Sequence, residues 1–170
     1  MPENGARMKS GWIVATTLCG FLVASAAVAW PVQPAASGCD SIANVPLRQH
    51  MNYNDDIQPI FDARCANCHV QPEGVPAADL LLDAPDSWYY LVGEHSSQDA
   101  TFFRVLPNDP ANSLLFLKVN CGTPGVGVRM PRQRPAISIE EQALIHDWIM
   151  AGAPIDSDDT LLRAEFETRG

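Results

Sequence analysis

Basic residues are scarce in this 170-residue chain, which has 11 Lys and Arg against 20 Asp and Glu and a formal net charge of −9. Binding to nucleic acid or to an anionic membrane surface depends on clustered positive charge, so the composition argues against both. The same acidic balance favours solubility and encounters with protein partners that carry basic patches. The length fits one domain of ordinary size with extensions.

Patterns that indicate an enzyme are also missing from the sequence. It contains no nucleophile elbow, no phosphate-binding glycine loop and only one C-x-x-C-H run. Alternating strand patterns, internal repeats and low-complexity blocks are absent as well. We therefore predict an all-α fold without enzymatic activity of its own, the alternative being a subunit of an oxidoreductase complex.

The N-terminal segment, residues 1–29, is predicted to be an export signal. Arg7 and Lys9 precede an uncharged apolar run that closes on Ala27-Val28-Ala29, an A-x-A cleavage pattern. Cleavage leaves a mature net charge of about −10. A retained anchor is one alternative, because about 20 apolar residues can span a bilayer. Lipidation of Cys39 in "AASGC" is another, so we expect a periplasmic protein that is bound to a membrane only in these two cases.

The exported chain divides into three predicted parts. Residues 30–52 mix Pro, Ala, Ser and Asn without periodicity, which indicates an extended leader. Residues 53–154 are predicted to form the domain, and residues 155–170 an acidic tail.

The first predicted helix of the domain carries the most informative residues at its end. It begins with a cap at Asn54 or Asp55, and Pro59 is tolerated because it lies near the first turn. Four residues at helical spacing form its apolar face: Ile57, Ile60, Phe61 and Cys65. The helix therefore delivers the run "CANCH" at its C-terminal end.

Three further helices are predicted. A cap followed by a proline starts short helices within 83–93 and 109–120, and the glycine- and proline-rich stretch 120–135 is predicted to be a loop. The last helix starts with a capping box of Ser138 and Glu141 and ends at Gly152. Its apolar stripe consists of Leu144, Ile145, Trp148 and Ile149.

Cys65, Cys68 and His69 form the run C-x-x-C-H, which allows three interpretations. A zinc site needs further ligands at short spacing, yet the next histidine and cysteine, His95 and Cys121, are distant. A thioredoxin-like dithiol follows a strand, and no strand is predicted here. Covalent haem attachment needs two thiols one helical turn apart and a histidine beside the second. We therefore predict one haem c, bound through Cys65 and Cys68, with His69 as the proximal iron ligand.

A second iron ligand is predicted at Met130, which lies beside Pro131 in the irregular loop before the last helix. A thioether there can point inward and anchor a loop that lacks a backbone ladder. Met150, on the last helix, is more typical of core filler. The other candidates are Met51, His50, His95 and His146.

The order of these parts resembles that of the class I c-type cytochromes. The resemblance rests on four stretches: "DIQPIFDARCANCH", "DPANSLLFLK", "RMP" and "SIEEQALIHDWIMAGAP". It implies a small helical fold around one haem, in which the first and last helices cross with Phe61 and Trp148 in contact. It also implies His69 as the proximal ligand and Met130 as the distal ligand.

Two side-chain groups near the predicted site have two readings each. Trp88, Tyr89 and Tyr90 are predicted to wall the edge of the haem, although packing in a small core also explains them. The arginines that flank Met130 either pair with a haem propionate or form a solvated basic patch; they are Arg129, Arg132 and Arg134.

Two cysteines remain once the signal segment and the C-x-x-C-H run are set aside. Cys39 and Cys121 would share an oxidising compartment, where free thiols seldom persist. We predict a disulfide that joins the leader to the loop upstream of Met130. Lipidation of Cys39 would instead leave Cys121 unpaired.

The predicted function is transfer of one electron in the periplasm by a haem with histidine and methionine ligands. Its redox partners are expected to be proteins that bind transiently through basic patches. One alternative is a haem subunit or docking module of a membrane-tethered oxidoreductase. Another is a haem domain with an open distal position, of the gas-binding or peroxidase-like kind.

Overall fold

The structure is a computed structural model that describes residues 36–70, 76–83 and 85–156. All of these belong to one compact unit. The predicted export signal and nearly all of the predicted acidic tail lie outside the described residues. Within the described ranges, no helix combines the length and the apolar character needed to cross a membrane.

The prediction of an all-α fold is wrong, because the chain also contains a small antiparallel sheet. Strand β1 (Ser37–Cys39) pairs with strand β2 (Cys121–Thr123), with Cys39 opposite Cys121. Each strand has only three residues, which is too short for an alternating pattern to show in the sequence. The pairing joins segments about eighty residues apart, so it depends on tertiary structure.

Helix α1 (Gln58–Arg64) follows directly on a π-helical turn, Tyr53–Ile57. The cap of this unit is Asn52, whose Oδ1 accepts hydrogen bonds from the backbone N–H groups of Asn54 and Asp55 at 2.9 and 3.2 Å. The predicted cap was thus two or three residues too late. The predicted apolar face is confirmed, because Ile57, Ile60 and Phe61 are buried and Cys65 packs against the core.

The two short central helices are only partly present. Residues 83–93 contain a single 3₁₀ turn, Ser87–Tyr90, in place of a full helix. In the second segment a 3₁₀ turn, Pro110–Asn112, precedes helix α2 (Leu114–Asn120), and Asp109 caps the turn as expected. Ser113 separates the two pieces in an extended conformation, and its hydroxyl group accepts the N–H of Leu106 at 2.8 Å. A tertiary hydrogen bond therefore interrupts what the sequence suggests is one helix.

Helix α3 (Ile139–Met150) agrees closely with its prediction. The Ser138 side chain accepts from the N–H of Glu141 at 3.1 Å, and the Glu141 carboxylate accepts from the N–H of Ser138 at 2.8 Å, which completes the capping box. Of the predicted apolar stripe, Ile145, Trp148 and Ile149 are fully buried, whereas Leu144 is half-buried.

The core is built around the ring of Tyr53, whose role the sequence did not reveal. Its centroid lies 5.3 Å from that of Trp148 and 6.1 Å from that of Phe61. Phe61 and Trp148, which were expected to be in contact, are both fully buried in the same cluster, and the Tyr53 ring packs against each of them. The hydroxyl group of Tyr53 donates to Ser87 at 2.8 Å, which satisfies the polar end of a buried aromatic ring.

Candidate functional site

The turn after α1 holds the two cysteines and the histidine of the C-x-x-C-H run close together. The N–H groups of Cys68 and His69 donate to the carbonyl of Cys65 at 3.1 and 3.2 Å, so the chain turns tightly around Cys65. Cys65 is half-buried against the core, Cys68 is exposed, and both are free thiols. The two free thiols therefore belong to residues of the same tight turn.

His69 is held with one ring nitrogen engaged. Its Nδ1 lies 3.2 Å from the carbonyl oxygen of Leu80, which assigns the proton to Nδ1 and leaves Nε2 with its lone pair. Burial lowers the pKa of His69, because desolvation disfavours the charged imidazolium. A neutral imidazole with a fixed ring orientation is the form that binds a metal ion. The Leu80 carbonyl has no signature in the sequence, since any residue supplies it.

The thiol of Cys65 is unlike that of a redox-active dithiol. Burial raises the pKa of Cys65 to about 11, and the carboxylate of Glu141 adds to the effect. Reactive cysteines of the thioredoxin type have lowered pKa values, because the thiolate is their nucleophile. The raised pKa of Cys65 is therefore a second argument against the dithiol interpretation, in addition to the lack of a predicted strand before the motif.

A cavity of about 430 Å³ opens beside this turn, and it brings the predicted residues together. Cys65, Cys68, His69 and Met130 all line it, together with Leu80, Leu82, Leu91, Leu114, Leu115 and Val119. This volume lies within the usual range of small-molecule and cofactor sites, about 300 to 1,000 Å³. A motif at positions 65–69 and a methionine sixty-one residues beyond His69 therefore share one largely apolar chamber.

The other candidate ligands lie away from the cavity. Met51 is buried in the core, and Met150 is 47% exposed on α3. His50 is exposed, His95 stacks on Phe103, and His146 contacts Asp147 through Nδ1 at 3.0 Å. None of the five is among the residues that line the cavity. Among the methionine and histidine candidates, only Met130 shares the chamber with His69.

The loop that carries Met130 is tied to α2. The N–H of Met130 donates to the carbonyl of Lys118 at 2.7 Å, and the Lys118 ammonium group donates to the carbonyl of Val126 at 2.9 Å. Lys118 is almost fully buried, and this burial lowers its pKa. One lysine therefore holds the loop at two points, a role that sequence reasoning missed.

The leader holds the other side of the same loop. Cys39 and Cys121 form a disulfide, which is the pairing that the two remaining cysteines suggested. The Asp40 carboxylate pairs with the Arg129 guanidinium group and also accepts from the side chain of Gln142 on α3 at 3.0 Å. Arg129 donates further to the carbonyl of Val119 at 3.0 Å. Arg129, which immediately precedes Met130, is thus held in place by Asp40 of the leader and by Val119 of α2.

Arg129 and the aromatic group differ from their predicted roles, whereas Arg132 and Arg134 fit either of the two alternatives given for them. Arg129 is occupied by Asp40, whereas Arg132 and Arg134 are exposed and line the cavity. Tyr89 and Tyr90 are 62% and 45% exposed, and the indole N–H of Trp88 donates to the carbonyl of Ala153 at 2.9 Å. None of these three aromatic residues lines the cavity, so they do not form the expected wall.

Comparison with known proteins assigns the chain to no family. No protein-family model matches it, and neither does any curated protein or solved structure. In the part of the chain that the structure describes, no group of three or more His, Cys, Asp or Glu side chains is placed to hold a metal ion.

The predicted membership of the class I c-type cytochromes is therefore wrong, and so is the description of the chain as a metal-binding cytochrome. The resemblance rested on short stretches, whereas the sheet and the broken central helices depart from the all-helical fold that it implied.

Proposed function

We propose that the cavity holds one covalently attached haem and that the protein carries single electrons. The observation that supports this most strongly is the common chamber lined by Cys65, Cys68, His69 and Met130. Two free thiols, a neutral imidazole and a thioether are the donor set that such a haem needs. The haem supplies an iron that cycles between Fe(III) and Fe(II).

The two cysteines are proposed to hold the porphyrin through thioether bonds. Each S–H adds across one vinyl group, so that the sulfur bonds to one carbon and the hydrogen to its neighbour, without any oxidant. Cys68 is exposed and accessible for this reaction, whereas Cys65 is half-buried, packs against the core and also lines the cavity. The short turn between them sets the separation of the two attachment points.

His69 and Met130 are proposed to be the axial ligands. The hydrogen bond to the Leu80 carbonyl orients His69 and increases the basicity of its free nitrogen. A thioether ligand favours the reduced state, which raises the reduction potential. With both His69 and Met130 bound, the iron would have no open position for a substrate, so we propose a carrier of electrons rather than an enzyme.

The proposed location is the periplasm, where exported proteins acquire disulfides. The Cys39–Cys121 disulfide supports an oxidising compartment, since such bonds are rare in the cytosol of most organisms. The predicted export signal points to the same compartment but lies outside the described residues. Encounters with redox partners are proposed to be brief, as is usual for small redox interfaces.

Spectra of the protein, produced in a host that attaches c-type haem, test the proposal. A pyridine haemochrome of the c type is expected for the wild type, and the methionine-to-iron charge-transfer band should be lost in Met130→Ala. Met150→Ala is the matched control, because Met150 is exposed and lies outside the cavity. Survival of the band in Met130→Ala would refute the ligand, and absence of covalent haem in the wild type would refute the function.

The gas-binding alternative predicts a different result. If the distal position were open, the reduced wild type would bind CO readily at neutral pH. We expect slow or negligible CO binding in the wild type and rapid binding in Met130→Ala, because the substitution removes the thioether.

A further inference from the structure

The cavity differs in charge from the protein as a whole. Seven of the 11 basic residues lie in the described ranges. Five of these seven line the cavity: Arg64, Arg104, Lys118, Arg132 and Arg134. No Asp or Glu is among the described residues that line it. A chain with a net charge of −9 thus gathers positive charge around one chamber.

Two of these basic groups are held in place without being neutralised. The Arg104 guanidinium group donates to the carbonyl oxygens of Tyr90 and Asp79 at 2.7 and 3.0 Å. The Lys118 ammonium group donates to the carbonyl of Val126. A carbonyl oxygen satisfies a donor but carries no full charge, so the positive charge of both residues stays uncancelled.

The remaining three basic residues that line the cavity are exposed. Arg64 pairs with Glu141, with Nε and Oε1 2.9 Å apart, and half of its side chain is exposed. Arg132 and Arg134 are exposed, and within the described ranges their side chains form no ion pair. All of the cavity-lining arginines are at least partly exposed, and we call this set the basic rim: Arg64, Arg104, Arg132 and Arg134.

We propose that the basic rim is the docking surface for an acidic patch on the protein that exchanges electrons with this one. The inference rests on the proposed function, because a redox partner would exchange electrons with a haem held in this cavity and would therefore contact the exposed residues that line it. The two propionates of a haem would neutralise part of the positive charge, and Glu141 already pairs with Arg64. The rim and Lys118 together still leave an excess of positive charge.

This differs from the expectation based on net charge, which favoured a partner with basic patches. Charges more than about 10 Å apart are largely screened at 0.1 M salt, so a docked interface is governed by the charges nearest to it. The acidic residues elsewhere set solubility, whereas the rim determines which surface can approach the haem.

The sign of the electrostatic potential at the cavity can be tested with two small oxidants, one anionic and one cationic. Each is used to oxidise the reduced, haem-loaded protein. We expect ferricyanide, an anion, to react several-fold more slowly as ionic strength rises from about 0.01 to about 0.3 M, because attraction is screened. The cationic tris(phenanthroline)cobalt(III) should show the reverse. If instead ferricyanide reacts faster and the cobalt complex more slowly as ionic strength rises, the rates follow the net charge of −9, and the proposal is overturned.

A matched pair of substitutions separates local charge from total charge. Arg134→Gln and Arg48→Gln each change the net charge by −1, but only Arg134 lines the cavity, whereas Arg48 pairs with Asp56. We expect Arg134→Gln to weaken the salt dependence with ferricyanide clearly, and the Arg132→Gln/Arg134→Gln variant to weaken it further. Equal effects of Arg134→Gln and Arg48→Gln would contradict the proposal.

Binding of poly-L-glutamate to the haem-loaded protein provides a readout that does not depend on electron transfer. Backbone amide signals of the basic rim are expected to shift, with smaller shifts at Arg48. Equal shifts with free glutamate at the same carboxylate concentration would indicate a small-anion site, and shifts away from the rim would indicate another surface; either result overturns the proposal. A protein without covalent haem would instead refute the proposed function, so the two failures are distinguishable.

Discussion

The two sides of the cavity are built in different ways. Residues 65–69, which we call the attachment turn after their proposed role, directly follow α1, and their hydrogen bonds run mostly to neighbours in the chain. The ligand loop, residues 121–134, has little regular structure beyond β2 and is held by the leader and by α2. One side is therefore local, and the other depends on contacts across about 80 to 90 residues. Substitutions that remove the contacts between the leader and the ligand loop should therefore affect the ligand loop and leave the attachment turn unchanged.

The largest effect is expected when the attachment turn itself is changed. Cys65→Ser/Cys68→Ser removes both thioether bonds, so we predict complete loss of covalent haem, measured by the pyridine haemochrome after acid-acetone extraction. The fold of the ligand loop should survive, because its disulfide and ion pair lie elsewhere. Retention of covalent haem in this variant would contradict the assignment of both cysteines.

Removal of the disulfide should damage the ligand loop and spare the attachment turn. Cys39→Ser/Cys121→Ser frees a loop with a sequence separation of 82, which corresponds to on the order of 4 kcal/mol in the chain-entropy model. We expect a free energy of unfolding lowered by about that amount in urea titrations, with the haemochrome unchanged. A weaker methionine-to-iron band would show that the loop has loosened. Loss of covalent haem from this variant would contradict the independence of the attachment turn from the disulfide.

A smaller effect is expected at the ion pair beside Met130. The hydrogen bond from Arg129 holds the pKa of Asp40 below its ordinary value of 3.8, and Gln142 adds to this. We predict that Asp40→Asn lowers the free energy of unfolding by about 1 kcal/mol at neutral pH, since the pair is partly exposed.

The pH dependence of that difference follows from the direction of the shift. Because the pKa of Asp40 is lower in the folded state, its contribution is fully present above the unfolded value of 3.8 and is lost as the pH falls through the folded value. The difference between wild type and Asp40→Asn should therefore be constant from pH 7 to about pH 5 and shrink below about pH 4. A difference that grows in acid would exclude Asp40 as its source.

The smallest effect is expected from two glycines with similar backbone conformations. Gly127, with φ of +67°, lies in the ligand loop, and an added Cβ would meet the Lys118 nitrogen at 2.8 Å. Gly93, with φ of +77°, has nothing within 4 Å of such a carbon. Both alanine variants carry the cost of a left-handed backbone, about 1 kcal/mol, and only Gly127→Ala also displaces the lysine. We expect the Met130 band to weaken in Gly127→Ala alone; equal weakening in Gly93→Ala would refute local control by Lys118.

The sequence was most informative where signals are local. The capping box of Ser138 and Glu141, the buried face of α3 and the face of α1 all follow from spacing along one helix, and the structure confirms them. The π-helical entry at Tyr53 and the break at Ser113 were missed, because tertiary hydrogen bonds to the backbone compete there with helix propensity. Packing overrides propensity wherever a helix is short.

The candidate site shows the same division. The C-x-x-C-H run identifies Cys65, Cys68 and His69 without any structure, because five consecutive residues specify their own geometry on a turn. Met130 could be named only as one candidate among several, and its place in the chamber became clear from the fold. The Leu80 carbonyl, the double contact of Lys118 and the Asp40 pair leave no mark in the sequence.

By itself, the sequence identified the candidate residues of the attachment turn, the extent of the last helix and the two cysteines that form the disulfide. Only the tertiary structure decided that β1 lies on β2, that Met130 shares a cavity with His69, and that five basic residues surround this cavity in an acidic protein. The reason is physical: hydrogen bonds and side-chain spacing within one turn depend on neighbouring residues, whereas burial and the local field depend on residues that only folding brings together.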